Sequence, residues 1–160
     1  MENRLRILCI LALGIAMAGV AGAQSSPAAP AAGTSPIATA DGEAPGTQLQ
    51  VTKFKRAGDS VMLQFVLINN SDSSYDPNNL QSSNYRSVDG VYLVDLAGKK
   101  KYEVVRDSTG AGVCSQNLQA IPSKSSVNVW AKFPAPPDSV QKLGIVVPHF
   151  MPMDDVPLSQ

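Results

Sequence analysis

Cysteine, histidine and aromatic residues are scarce in this chain, and each shortage removes a class of chemistry. Among 160 residues there are two cysteines, one histidine and one tryptophan, and aromatics make up 6%. Cys9 lies in an N-terminal apolar run expected to be removed, so Cys114 is left without a partner for an intrachain disulfide. It is expected to be a half-buried, inert thiol in a monomeric protein. Tetrahedral zinc needs three or four His or Cys ligands, and Cys114 and His149 supply two. A hydroxyl or thiol nucleophile needs a histidine base oriented by a carboxylate. His149, followed by Asp154 and Asp155, is the one candidate base, and no serine stands in a nucleophile-elbow setting. These shortages point away from an enzyme, a metal and any cofactor.

Excess charge is also missing: 13 Lys and Arg balance 13 Asp and Glu. A balanced chain has no global pull on nucleic acid or on an anionic membrane. Lys99-Lys100-Lys101 forms a basic cluster, yet it sits at an expected hairpin turn without interleaved aromatics. Charge there keeps a strand edge soluble. A helical apolar period is absent as well.

What is present begins at the N-terminus. Arg4 and Arg6 precede an apolar run over 7–20 that falls short of the ~20 residues a spanning helix needs. It ends in Ala21-Gly22-Ala23, the small-x-small pattern of a signal-peptidase site. Residues 1–23 therefore read as a signal peptide, which implies an exported chain, periplasmic or extracellular, with no stable membrane insertion after cleavage. Residues 24–47 are rich in Ala, Pro and Ser and have almost nothing to bury, so they read as a disordered linker. The folded domain is expected over 48–160.

Within it, alternation marks short strands. Segment 60–68 places Val61, Leu63, Phe65 and Leu67 on one face. Segment 126–133 places Val127, Val129, Ala131 and Phe133 on one face and Asn128, Trp130 and Lys132 on the other. Further strands are expected over 49–54, 90–96, 101–106 and 143–147, with a short edge over 156–158. Pro134, Pro136 and Pro137 stop the 126–133 strand, because proline cannot donate to a ladder. Short strands with turns between them predict an all-β antiparallel sandwich.

Long polar loops are expected over 69–84 and 107–114. In the first, Asp72, Ser74 and Asp76 alternate like calcium ligands, but Pro77 and Ser83 replace the Gly and Glu that such a loop requires. Asn69-Asn70-Ser71 matches a glycosylation acceptor. Tyr75 and Tyr85, with neighbouring Asn and Ser, form a mixture suited to partner binding. Trp130 is the third candidate: either a loop or the C-terminal tail covers it, or it marks an exposed binding patch.

The blocks Val91-Tyr92-Leu93-Val94-Asp95, Lys101-Tyr102-Glu103-Val104-Val105-Arg106-Asp107 and Trp130-Ala131-Lys132-Phe133-Pro134-Ala135-Pro136-Pro137 resemble the small immunoglobulin-like, telokin-like domains of exported bacterial proteins. The resemblance implies an immunoglobulin-like β-sandwich over 48–158 and supplies no catalytic residue. Relatives carry a second cysteine at the place of Gly112 here. The function expected is a non-catalytic binding or envelope-assembly module with a protein or cell-envelope partner. The alternative is an inhibitor of an extracellular enzyme, presenting one of the two loops.

Overall fold

The computed structural model describes residues 35–77 and 86–160. Eight strands follow one another: β1 Ala38–Asp41, β2 Thr47–Ala57, β3 Ser60–Asn69, β4 Tyr92–Asp95, β5 Lys100–Glu103, β6 Ser125–Pro134, β7 Lys142–Val146 and β8 Met153–Pro157. They form two antiparallel four-stranded sheets, ordered β1-β2-β3-β6 and β5-β4-β7-β8. The chain changes sheet between β3 and β4, between β5 and β6, and between β6 and β7. Such sheet-switching connections, with two antiparallel sheets, make an all-β sandwich. The described residues contain no α-helix.

The expected alternation builds the core. Val61, Leu63, Phe65 and Leu67 of β3 lie between Leu49, Val51 and Phe54 of β2 and Val129, Ala131 and Phe133 of β6, all buried. Leu93, Tyr102, Leu143, Ile145, Met153 and Val156 supply the other sheet's side of the same cluster. In β2 strict alternation after Val51 would turn Lys53 and Lys55 inward. The register instead shifts between Val51 and Lys53, which leaves Thr52 as the extra residue of a bulge. The bulge resets the phase: Phe54 points in, and both lysines stay exposed.

One boundary moves. Residues 38–47, expected in the disordered linker, belong to the sandwich: β1 pairs with β2 over Ala38↔Val51 to Asp41↔Gln48, and Thr47 opens β2. The segment has little to bury beyond Ala40, so its order comes from ladder bonds that composition does not reveal. The expected signal peptide, 1–23, and residues 24–34 of the expected linker lie outside the described residues.

Both sides of the sandwich are closed by irregular chain. Along β6, Val105 N–H donates to Lys132 O (2.8 Å), Lys132 N–H to Val113 O (3.0 Å) and Ser115 N–H to Trp130 O (2.8 Å). On the other side, Ser159 N–H donates to Phe54 O (3.1 Å) and Arg56 N–H to Ser159 O (2.8 Å). Covered edges leave few unpaired backbone groups to template association. Among the described residues, no helix is long and apolar enough to cross a membrane.

Candidate functional site

The site grows from the outward face of β6. Alternation that buries Val129 and Ala131 must turn Asn128, Trp130 and Lys132 out. Trp130 stands directly across from Gln64 of β3, and Asn128 across from Val66. Of the two alternatives for Trp130, cover by a loop or the C-terminal tail or an exposed patch, the structure gives an exposed residue, at 37%. The tail runs instead along β2, where Ser159 bonds Phe54.

Two grooves flank the indole. One, of about 600 Å³, lies between β6 and the 114–122 segment, with Trp130, Asn128 and Ser126 on one wall and Gln116, Asn117 and Gln119 on the other. The second, of about 190 Å³, is bounded by Thr52, Gln64, Asn128 and Trp130. Thr52 reaches this position because of the β2 bulge, where its hydroxyl donates to Gln64 O at 3.2 Å.

The far wall of the larger groove is held by long-range bonds. Val88 N–H donates to Ser115 O (3.2 Å), Leu118 N–H to Arg86 O (2.9 Å), and Tyr75 and Ile121 exchange both backbone bonds (2.9 and 2.7 Å). Leu118 and Ile121 are buried beneath it. Buried Asn69 adds a lock: its Nδ2 donates to Ser73 O (2.8 Å), Ile121 O (3.0 Å) and Pro122 O (3.0 Å). That nitrogen is thereby committed, so the glycosylation pattern at Asn69 is occupied internally in the folded chain.

Among the described residues, none that lines either Trp130 groove carries a formal charge. Cys114 at the floor is a buried free cysteine. Burial first, then the nearby Asp89 carboxylate, pushes its thiol up to about 11 from an ordinary value near 9. It is neutral at physiological pH.

The other sequence candidates lie elsewhere. Tyr75 is half-buried and packs against the core; burial, then the charges of Glu43 and Asp76, raise its phenol above the usual range. Tyr85 lies outside the described residues, as do 78–84 of the long loop. Asp72 pairs with Lys124 at 2.9 Å and Asp76 with Arg86 at 3.5 Å. His149 Nδ1 lies 2.8 Å from Glu43 Oε2, so its carboxylate partner comes from the β1–β2 turn rather than from Asp154 or Asp155. In the basic cluster Lys101 lies 4.3 Å from the centre of the Tyr92 ring and 2.9 Å from Glu103.

The 107–112 turn is built by one carboxylate. Asp107 Oδ1 accepts from Thr109 Oγ1 (2.7 Å), Thr109 N–H (2.8 Å) and Ala111 N–H (3.0 Å). These bonds, the Thr109 hydroxyl's above all, hold its carboxyl below the usual range.

A further groove, of about 570 Å³, lies between the β4–β5 hairpin and the 137–144 segment, and its polar groups are Asp95, Lys142 and Asp155 among others. Of these, Asp95 serves the fold, and Arg56, outside the lining, braces the groove's wall. Buried Asp95 accepts from Gly98 N–H at 2.8 Å. The Arg56 guanidinium donates to the carbonyls of Pro136 (2.7 Å), Pro137 (3.2 Å) and Val140 (3.4 Å).

Sequence reasoning picked out Trp130 by alternation but missed the 114–122 wall, whose bonds reach residues far away in the chain. Comparison with known families, curated proteins and solved structures finds no match to this chain.

Proposed function

We propose that this chain is an exported, non-catalytic binding or envelope-assembly module, and that its recognition surface is the outer face of β6 around Trp130. The observation that carries the reading is a large, partly exposed indole between two uncharged grooves on a rigid sandwich. Large aromatics at well-formed concave sites carry a disproportionate share of binding energy. Export rests on Arg4 and Arg6, the 7–20 run and Ala21-Gly22-Ala23. The resemblance to telokin-like domains agrees with both fold and address.

Two measurements test it. Mass spectrometry of the exported chain should find Gln24 at its N-terminus. The purified chain should co-sediment with its own insoluble envelope fraction, and Trp130→Ala should lose most of that binding while remaining folded. Equal sedimentation of the two chains would remove Trp130 from the function.

A second reading has its own observation. The 107–112 turn is exposed and pre-organised by Asp107, the kind of ready-made loop that an enzyme inhibitor presents. That reading requires tight capture of one extracellular enzyme, lost on Asp107→Ala and unaffected by Trp130→Ala.

A further inference from the structure

The chemistry of the Trp130 face narrows what it can hold. An aromatic ring is electron-rich on its face, and one face of a pyranose sugar presents a flat set of C–H groups that complement it. Sugar hydroxyls donate and accept at the same time, and so do the amide side chains of Asn and Gln. Gln64 lies directly across from Trp130, and Asn128 lies two residues before it on the same face. Neither side chain makes a hydrogen bond to another described residue. Covering such amides without giving them partners is costly, so a purely apolar occupant is disfavoured.

Charge narrows the choice again. Nucleic acid stacks on aromatics but also needs cations to track its phosphates. An ionic peptide would likewise need counter-charges. Among the described residues, neither groove has a charged lining residue, whereas the 570 Å³ groove contains Asp95, Lys142 and Asp155. The two cavities continue on either side of the indole, at about 600 and 190 Å³. That shape suits a chain of units better than a single one.

We propose that this face binds a neutral oligosaccharide laid across β6, with Trp130 as the stacking platform and Asn128 and Gln64 bonding its hydroxyls. The proposal rests on the binding-module reading and supplies its ligand class.

Trp130 is the chain's only tryptophan, so its emission reports the site directly. The full exported chain is titrated with cellohexaose, with chitohexaose and with an uncharged Ser-Gly hexapeptide. The expected result is a saturable emission change with at least one hexasaccharide and none with the peptide. Asn128→Ala and Gln64→Ala keep the reporter, and each should weaken the response about tenfold, the worth of one well-made hydrogen bond. The proposal is overturned if neither hexasaccharide gives a saturable change up to ~10 mM, beyond which binding is negligible. It is also overturned if both folded variants bind as wild type does, or if the peptide responds equally. Competition against envelope sedimentation separates the two levels. Trp130-dependent sedimentation that protease treatment of the envelope abolishes, and hexasaccharides do not compete, means a protein occupant: the module reading stands and the sugar proposal falls. Sedimentation independent of Trp130 sinks the module reading itself.

Discussion

Two surface grooves of nearly equal size, about 600 Å³ beside Trp130 and about 570 Å³ beside the β4–β5 hairpin, do different work. The second is lined by Asp95, Lys142 and Asp155; Asp95 caps its own turn, and Arg56, outside the lining, ties down the carbonyls of Pro137 and Val140 in its wall. The first carries no charge on its described lining; Trp130 and Asn128 face outward there, and the Asn128 amide makes no hydrogen bond to another described residue. Volume alone does not distinguish a site from a crevice. What charge the lining groups carry, and how each is bonded, does.

The comparison breaks most visibly at Arg56. Its side chain is 9% exposed, and removing it strands several carbonyls. Arg56→Ala should lower unfolding free energy by about 3 kcal/mol, since bonds to a charged group are worth roughly 1.5–3 kcal/mol each before relaxation. Arg56→Lys should recover only part, because an ammonium lacks the planar fork. Urea titration measures both, and the folded fraction should still sediment with envelope. Loss of sedimentation by folded Arg56→Ala would show that the two grooves are coupled.

Asn69→Ala comes next. It removes the two bonds that lock the 121–122 wall of the Trp130 groove and a third to Ser73 O, and should cost about 2 kcal/mol. Unlike Arg56→Ala, it should also weaken envelope binding, because the wall it frees belongs to the site.

The pH dependence is a smaller effect with a fixed sign. Cys114 titrates near 9 when unfolded and about 11 when folded, so the folded state keeps a proton that the unfolded state gives up. Its contribution is whole below pH 9 and is lost as pH rises through 9–11. Tyr75 and Tyr102, both raised chiefly by burial, add loss of the same sign above pH 10. Cys114→Ala should flatten the pH 9–11 part of a stability profile. Native Cys114 should also resist thiol reagents at neutral pH and react once unfolded.

How much of this was legible in the sequence follows from which forces act locally. β3 and β6 could be read because burial on one face imposes a period of two. Val61 to Leu67 and Val127 to Phe133 show it without interruption, and the same period placed Trp130 outward. β1 could not be read, because Ala38-Thr39-Ala40-Asp41 offers only two small alanines to the core and takes its conformation from β2. β8 begins at Met153 rather than Val156, since the register shift between Leu143 and Ile145 lets Met153 and Val156 both point inward. Tyr75 looked like a free loop tyrosine; its backbone bonds to Ile121 draw it against the core. Those bonds join residues far apart in the chain, and no local pattern encodes them.

The smallest stability effect belongs to the site itself. Asn128 is exposed and its amide bonds no other described residue, so Asn128→Ala should change unfolding free energy by no more than about 0.5 kcal/mol, the range of surface substitutions without a structural role. Its binding should still fall about tenfold. A matching loss of stability would mean that the amide serves the fold, as Asp95 does, and the contrast between the grooves would disappear.

The most direct test follows one signal. The chain has a single indole N–H, which gives one resonance in an amide-correlation spectrum of the ¹⁵N-labelled protein. Soluble fragments released from the envelope are added stepwise. The account predicts that the Trp130 indole resonance shifts saturably, together with the side-chain amides of Asn128 and Gln64, while the backbone signals of Asp95 and Gly98 stay in place. Movement of the Asp95–Gly98 signals with the Trp130 indole unmoved would contradict it.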